Sequence, residues 1–359
     1  MQAKASIRYF LGANSPQGFY SLYDHLIDPK QAERIYILKG GAGCGKSSLM
    51  RRVAQKAEEM GESVEYIHCS ADPDSLDAIL LPTRKSAIVD GTAPHVIEPK
   101  YPGVVECYVN LGDCYHIDSL RTSRQAIIDC MSGYKNCYKR AYHCLNAAAE
   151  IAEDMRSTLS TNVFEEKVSK RAKGILSREI KKSGTGSGQI TKRFLRAVTH
   201  RGVLCYYTTA ETLCKRVYLL EDNYSLAHPM LSHLLSGATS AGYDVIACPS
   251  PMAPDRLEHL IIPELSLAFL SAPSGLVWEK RPYRRIHMDS MTDEELLRRN
   301  KARLRFARKV SSALIDEAKD SLAQAKAMHD ELESLYNPHV DFERVYQMAD
   351  EIAAQLLNQ

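Results

Sequence analysis

Lys46 and Ser47 close the run Gly40-Gly41-Ala42-Gly43-Cys44-Gly45-Lys46-Ser47-Ser48, a G-x-x-x-x-G-K-S pattern suited to holding phosphate. Its glycines let successive backbone N–H groups curl toward an anion, and a helix starting there adds positive potential. Lys46 is placed to reach β- and γ-phosphates, and the Ser47 hydroxyl to sit on Mg²⁺. Downstream, Asp90 ends the apolar run Ser86-Ala87-Ile88-Val89, where a carboxylate would hold the same Mg²⁺ directly or through water. Gly91 and Thr92 follow it, not a glutamate able to activate water. Another group must then orient the nucleophile, and Asp72, Asp74 and His95 are the candidates.

Those residues need a particular scaffold. Arg34 to Lys39 is an apolar strand leading into the loop. Leu49, Val53 and Ala57, with Met50, Ala54 and Met60 beside them, predict a helix after it. A second strand, Ser63 to His68, runs into Cys69-Ser70-Ala71-Asp72-Pro73-Asp74-Ser75. Loops at the carboxyl ends of strands face the ligand in an open α/β sheet, so Ser70, Asp72 and Asp74 are candidate contacts. Plain turn chemistry accounts for them equally well, with Ser75 or Asp74 capping a helix from Leu76. The Pro-rich stretch Thr92 to Gly103 is an exposed loop, either passive or a lid bringing His95 or Lys100 inward. Val104 to Asn110 is a further strand. Ahead of these, residues 8 to 30 hold a turn at Asn14 to Gly18 and then a Tyr-bearing helix. From Asp118 to about Ile180 the 3-and-4 spacing predicts two antiparallel helices, broken at Ser160-Thr161-Asn162.

The 359 residues allow two or more domains, with 25% charged and 45% apolar side chains. A net charge of +2 gives no signal for a nucleic-acid partner. No apolar run is long enough to cross a membrane and the first residues lack the apolar core of a signal peptide, so a cytoplasmic protein is expected. The 10 cysteines contain no C-x-x-C pair, and no zinc site is expected from them. Cys130, Cys137 and Cys144 recur along one helical face about 10.5 Å apart, too far to share an ion, and suit a helix–helix seam. Cys44 is a filler residue of the loop.

The chain also repeats itself. Phe194-Leu195, Ala197 and Gly202 echo Phe10-Leu11, Ala13 and Gly18 at one constant spacing. Arg216 to Leu220 echoes Arg34 to Leu38, Pro254 to Pro263 echoes Pro73 to Pro82, and Phe342-Glu343 echoes Phe164-Glu165. After the linker Lys181 to Gly188, the second copy has lost its chemistry. Asp222 stands for Gly40, Ala227 for Gly45, His228 for Lys46, Pro229 for Ser47 and Ser271 for Asp90. An aspartate there repels phosphate, and side chains replace the glycines that permit close approach.

Gly40 to Ser48, Cys69 to Asp77, Asp90-Gly91-Thr92-Ala93-Pro94-His95 and Glu258-His259-Leu260-Ile261-Ile262-Pro263 together resemble an uncharacterised family of bacterial tandem P-loop proteins, usually labelled ATPases. The resemblance covers essentially the whole chain. It implies nucleotide binding through Gly40, Gly41, Ala42, Gly43, Cys44, Gly45, Lys46, Ser47 and Ser48, with Mg²⁺ at Ser47 and Asp90. Members often keep a second phosphate loop, and this sequence departs there.

The expected fold is α/β: two tandem P-loop NTPase-like three-layer cores with mostly parallel sheets, each followed by a helical hairpin. The boundaries are 1–117 for the intact core, 118–182 for its hairpin, 183–190 for the linker, 191–290 for the degenerate core and 291–359 for the last hairpin. The leading functional expectation is a Mg²⁺-dependent ATP-binding protein, a slow ATPase with one nucleotide site and a pseudo-NTPase second half. The second half would act as scaffold or regulator, with Arg281, Arg284 and Arg285 as a cationic cluster offered in trans or as a solvated loop. The alternatives are a small-molecule or nucleotide kinase with a bound acceptor, and a nucleotide-gated module that holds a protein partner. Asn300-Lys301-Ala302-Arg303 lacks the aspartate of a guanine reader.

Overall fold

Strict alternation writes the central strand. In Arg34–Lys39, Ile35 and Ile37 point to one side and Tyr36 and Leu38 to the other, and all four are buried. The computed structural model describes residues 6–182, 186–273 and 280–358. In the first half, β1 (Ile7–Tyr9), the hairpin β2 (Gly12–Ser15) and β3 (Gly18–Ser21), and β4 (Arg34–Lys39) precede α1 (Lys46–Glu59). Then come β5 (Glu65–His68), β6 (Leu76–Leu81), β7 (Ser86–Asp90) and β8 (Glu106–Asn110). Helices α2 (Ile117–Leu120), α3 (Arg124–Leu159) and α4 (Asn162–Glu179) lead to the second half.

There the same order returns: β9 (Ile190–Lys192), the hairpin β10 (Arg196–Thr199) and β11 (Gly202–Cys205), α5 (Tyr207–Leu213), β12 (Arg216–Glu221) and α6 (His228–Ser240). It continues through β13 (Val245–Ser250), β14 (Ala253–Ile262), β15 (Leu267–Ala272) and β16 (Arg284–His287) to α7 (Glu294–Tyr336) and α8 (Phe342–Leu357). Each half builds a six-stranded sheet, ordered β1-β5-β6-β7-β4-β8 and β9-β13-β14-β15-β12-β16. Both are mixed and mostly parallel, with β6 and β14 running against their neighbours.

The halves meet at matched positions. Phe10 and Phe194 exchange backbone hydrogen bonds in both directions, each 2.9 Å. Asn14 Nδ2 donates to Val198 O at 2.9 Å, again joining corresponding residues. One face of each sheet, Ile35, Ile37 and Val89 in the first and Val217, Leu219 and Leu270 in the second, drains into a single shared core. The three-layer expectation is therefore corrected. Helices α1 and α8 cover the outer face of the first sheet and α4 and α6 that of the second, while the inner faces meet each other with the short α5 between them.

The helical hairpins are corrected too. α3 packs along α7, not on α4, and α8 packs on α1, not on α7. Phe164, Val168, Ala172 and Ile175 of α4 bury against α6 and the second sheet. Val345, Ala349, Ile352 and Leu356 of α8 bury against α1 and the first sheet. Each copy thus lends its last helix to the other. The 36 residues of α3 and 43 of α7 span about 54 and about 65 Å, which lets them cross the molecule. Cys130 and Cys137 sit in the α3–α7 seam beside Met328, as their spacing predicted.

Two local readings fail. Leu76 opens a fully buried strand, because Leu76 to Leu81 is apolar on both sides apart from Asp77. The Tyr-bearing segment after Gly18 is strand β3 followed by the single turn Tyr23–His25. The linker reading falls partly on 183–185, and the opening residues 1–5 were read for a signal peptide; both lie outside the described residues. Among the described residues no helix is long and apolar enough to cross a membrane.

Candidate functional site

β4 delivers the glycine-rich loop at its carboxyl end, and α1 begins at Lys46 immediately after it. Gly43 (φ +65°) and Gly45 (φ +87°) take the left-handed conformation that curls the loop. Lys46 Nζ donates to Gly40 O at 2.9 Å and Gly41 O at 2.7 Å, and lies 3.6 Å from Asp90 Oδ2. Ser47 Oγ accepts the Leu76 N–H at 3.0 Å. Parallel pairing of β4 with β7, Leu38 opposite Asp90, is what brings the carboxylate to the lysine. Asp90 Oδ1 is held by the Thr92 N–H (2.8 Å) and hydroxyl (2.6 Å), so Thr92 stands where an activating glutamate was missing from the sequence.

The remaining candidates separate. Asp72 accepts from Asp74 N–H and Ser75 Oγ and lies 3.5 Å from Lys326, which is turn chemistry plus an ion pair with α7. Asp74 is exposed and pairs with Arg201, which holds its carboxyl below the usual range. Neither is drawn into the loop. His95 does turn inward: it is buried, with Nε2 at 3.5 Å from Asp77 Oδ2 and its ring against Phe19 and Tyr23. Lys100 turns outward to Asp24. Cys44 is buried within the loop, and burial pushes its thiol up, away from reactivity. Ser48 is exposed on the first turn of α1.

The second half reaches this loop by a route the sequence did not show. The Asn337 side-chain amide lies against the carbonyls of Gly43 and Glu333, and with its nitrogen turned toward them it donates to both, at 2.9 and 3.2 Å. A Cβ on Gly45 would lie 3.1 Å from Val345. Tyr115 Oη accepts the Gly41 N–H at 2.7 Å, and Tyr336 packs beside it. The α7–α8 corner therefore lies directly on the loop. The arginine cluster does not: Arg285 pairs with Glu221 and Arg284 stacks on Tyr283, both at the β16 edge of their own sheet.

No family model, curated protein or solved structure matches this chain. The internal duplication supplies a comparison of its own. In the second copy Asp222 Oδ1 accepts the Leu226 N–H at 2.7 Å and Oδ2 the Ala227 N–H at 2.8 Å, with Ser271 Oγ 3.4 Å away. The carboxylate occupies the backbone donors at the entrance to α6, and burial pushes its pKa up. His228 Nδ1 accepts the Leu257 N–H at 2.9 Å, as Ser47 accepts that of Leu76. Asp77, a carboxylate inside an otherwise apolar strand, was the signal passed over. It lies one step past the Ala78–Val89 pair, opposite Asp90.

Proposed function

We propose that the glycine-rich loop binds the phosphates of ATP as its Mg²⁺ complex, and that the chain is a slow ATPase with one site. The observation that carries this reading is the convergence of Lys46, Ser47 and Asp90 on a left-handed glycine loop at a helix start, beside a second copy whose loop donors are already occupied. The residues present fit the group. The N–H groups of the loop and the Lys46 ammonium suit phosphate oxygens, and the Ser47 hydroxyl and Asp90 carboxylate suit a hard cation. Bound Mg²⁺ would supply neutralisation of developing phosphate charge.

The chain's own residues do the rest. Lys46 is held ready by the carbonyls of Gly40 and Gly41 and balanced by Asp90. Tyr115 and the Asn337 corner limit access to the loop, which favours slow turnover. Thr92 ties Asp90 in place without offering a base, which favours the same outcome. The second half is a pseudo-NTPase that acts as scaffold, with α7 and α8 as its means of contact.

Calorimetry with Mg²⁺ and ATP tests this. We expect one site per chain, with binding lost in Lys46→Ala. Unchanged binding in that variant, or two sites of similar affinity, overturns the reading. ADP release that depends on an added acceptor would transfer the site to the phosphotransferases.

A further inference from the structure

Cys69 follows β5, Asp77 opens the antiparallel β6 and His95 follows β7, so all three emerge at the same end of the first sheet as the glycine-rich loop. One ligand atom from each lies within 4.8 Å of the other two. Asp77 and His95 are less than one tenth exposed. Tyr23 Oη donates to Asp77 Oδ2 at 2.9 Å and fixes that carboxylate's orientation. His95 Nδ1 is buried without a hydrogen-bond partner.

The second copy shows what this arrangement requires. Ser250 and Glu258 occupy the positions of Cys69 and Asp77, and Tyr207 that of Tyr23. Arg196 stands where the first copy has Gly12. Its guanidinium lies 2.7 Å from Glu258 and 3.5 Å from Ser250 Oγ, a resident cation bridging the two substituted positions. The first copy keeps the buried carboxylate and replaces the arginine with a glycine, whose Cβ position lies 2.3 Å from the Phe19 ring. Cys69 and His95 converge on Asp77, whereas in the second copy His259 Nε2 lies 3.9 Å from Glu258 and Cys205 Sγ lies 3.9 Å from His259. The copies differ in the cation: Arg196 neutralises Glu258 in the second, while in the first the glycine leaves Asp77 without that guanidinium and Cys69 and His95 come within ligand distance of it.

We infer that Cys69, Asp77 and His95 form a binding site for a zinc-class divalent cation, with Tyr23 as the outer partner that orients Asp77. The set offers one sulfur, one oxygen and one nitrogen, which suits Zn²⁺ and leaves a fourth position open. A thiolate ligand disfavours Mg²⁺ and Ca²⁺, so this site is separate from the one at Ser47 and Asp90. It does not depend on the nucleotide reading. Binding would release the Cys69 proton, because the thiolate is the ligand.

The test is titration of the metal-stripped full chain with Co²⁺ and, separately, Zn²⁺ against a chromophoric chelator. We expect one equivalent of Co²⁺ to produce a thiolate-to-cobalt charge-transfer band, with proton release. The band should vanish in Cys69→Ser and persist in Cys114→Ser, and His95→Gln should weaken Zn²⁺ by more than about 100-fold. Circular dichroism checks that each variant is folded. Absence of the band in the wild-type chain overturns the inference without reference to any variant. So does a band that survives Cys69→Ser, or equal Zn²⁺ affinity in His95→Gln.

Discussion

Replacing Asp222 with alanine removes the acceptor with which the degenerate loop satisfies itself. The wild-type carboxylate takes the N–H groups of Leu226 and Ala227 at 2.7 and 2.8 Å, and both residues are buried. Losing it strands two donors away from water at about 1–3 kcal/mol each. Release from the cost of holding a carboxylate in that interior, visible in its raised pKa, offsets part of this. The net expectation is a loss of about 2–4 kcal/mol. Asp222→Asn keeps one carbonyl acceptor and should lose about half as much. Urea denaturation followed by circular dichroism measures both. Nucleotide stoichiometry should stay at one, since neither variant restores a lysine at His228 or a hydroxyl at Pro229. If Asp222→Ala unfolds within about 0.5 kcal/mol of wild type, the loop donors do not depend on this carboxylate and the reasoning is refuted.

Gly43→Ala should cost about 1–2 kcal/mol by forcing a side chain into left-handed backbone, and its Cβ would come within 3.2 Å of Glu333 Cα. Thermal melts and ATP titration on that variant check this, with weakened binding expected alongside. Phe164→Ala empties a fully buried site between α4 and α6 and should cost about 3–5 kcal/mol in denaturant unfolding. Burial lowers the His68 pKa to about 4, while the unfolded chain titrates near its ordinary value. The unfolded state therefore binds the extra proton as pH falls from about 6.5 toward about 4, and this contribution to stability is progressively lost. From pH 7 to pH 5, wild type should lose about 2 kcal/mol more than His68→Gln, and parallel pH profiles would count against a neutral buried imidazole.

The strand, the glycine-rich loop and the helix after it were legible because their signals are local. A strand, six loop residues and a helix start are contiguous, and Asp90 ends β7, the apolar strand that pairs in parallel with β4. The repeat was legible for a related reason, since Phe10 and Phe194 or Arg34 and Arg216 keep their spacing. What the sequence withheld depends on long-range partners. Phe164 and Val345 mark amphipathic helices equally well whichever copy they cover, so the exchange of α4 and α8 left no trace in periodicity. Leu76 looked like a helix start because Ser75 and Asp74 are capping residues, but pairing with β5 and β7 decided the matter. Asp77 was hidden by that misreading. Its convergence with Cys69 and His95 joins the two ends of the β5–β6 connection to the loop after β7, which no spacing rule reaches.

The exchanged helices also set an order of events during synthesis. The outer face of the first sheet, with Leu49, Met50 and Val53 on α1, is covered by residues 342–357. The N-terminal half therefore leaves the ribosome with the flank beside α1 still open and must wait for residues 342–357 before it can be sealed. Contacts so distant in sequence slow folding and expose apolar surface meanwhile. The same arrangement makes α8 a checkpoint for completion of the first core. A chain cut short before α8 lacks the lid of the first core and the Val345 contact at Gly45, even though every residue of the glycine-rich loop has already been made.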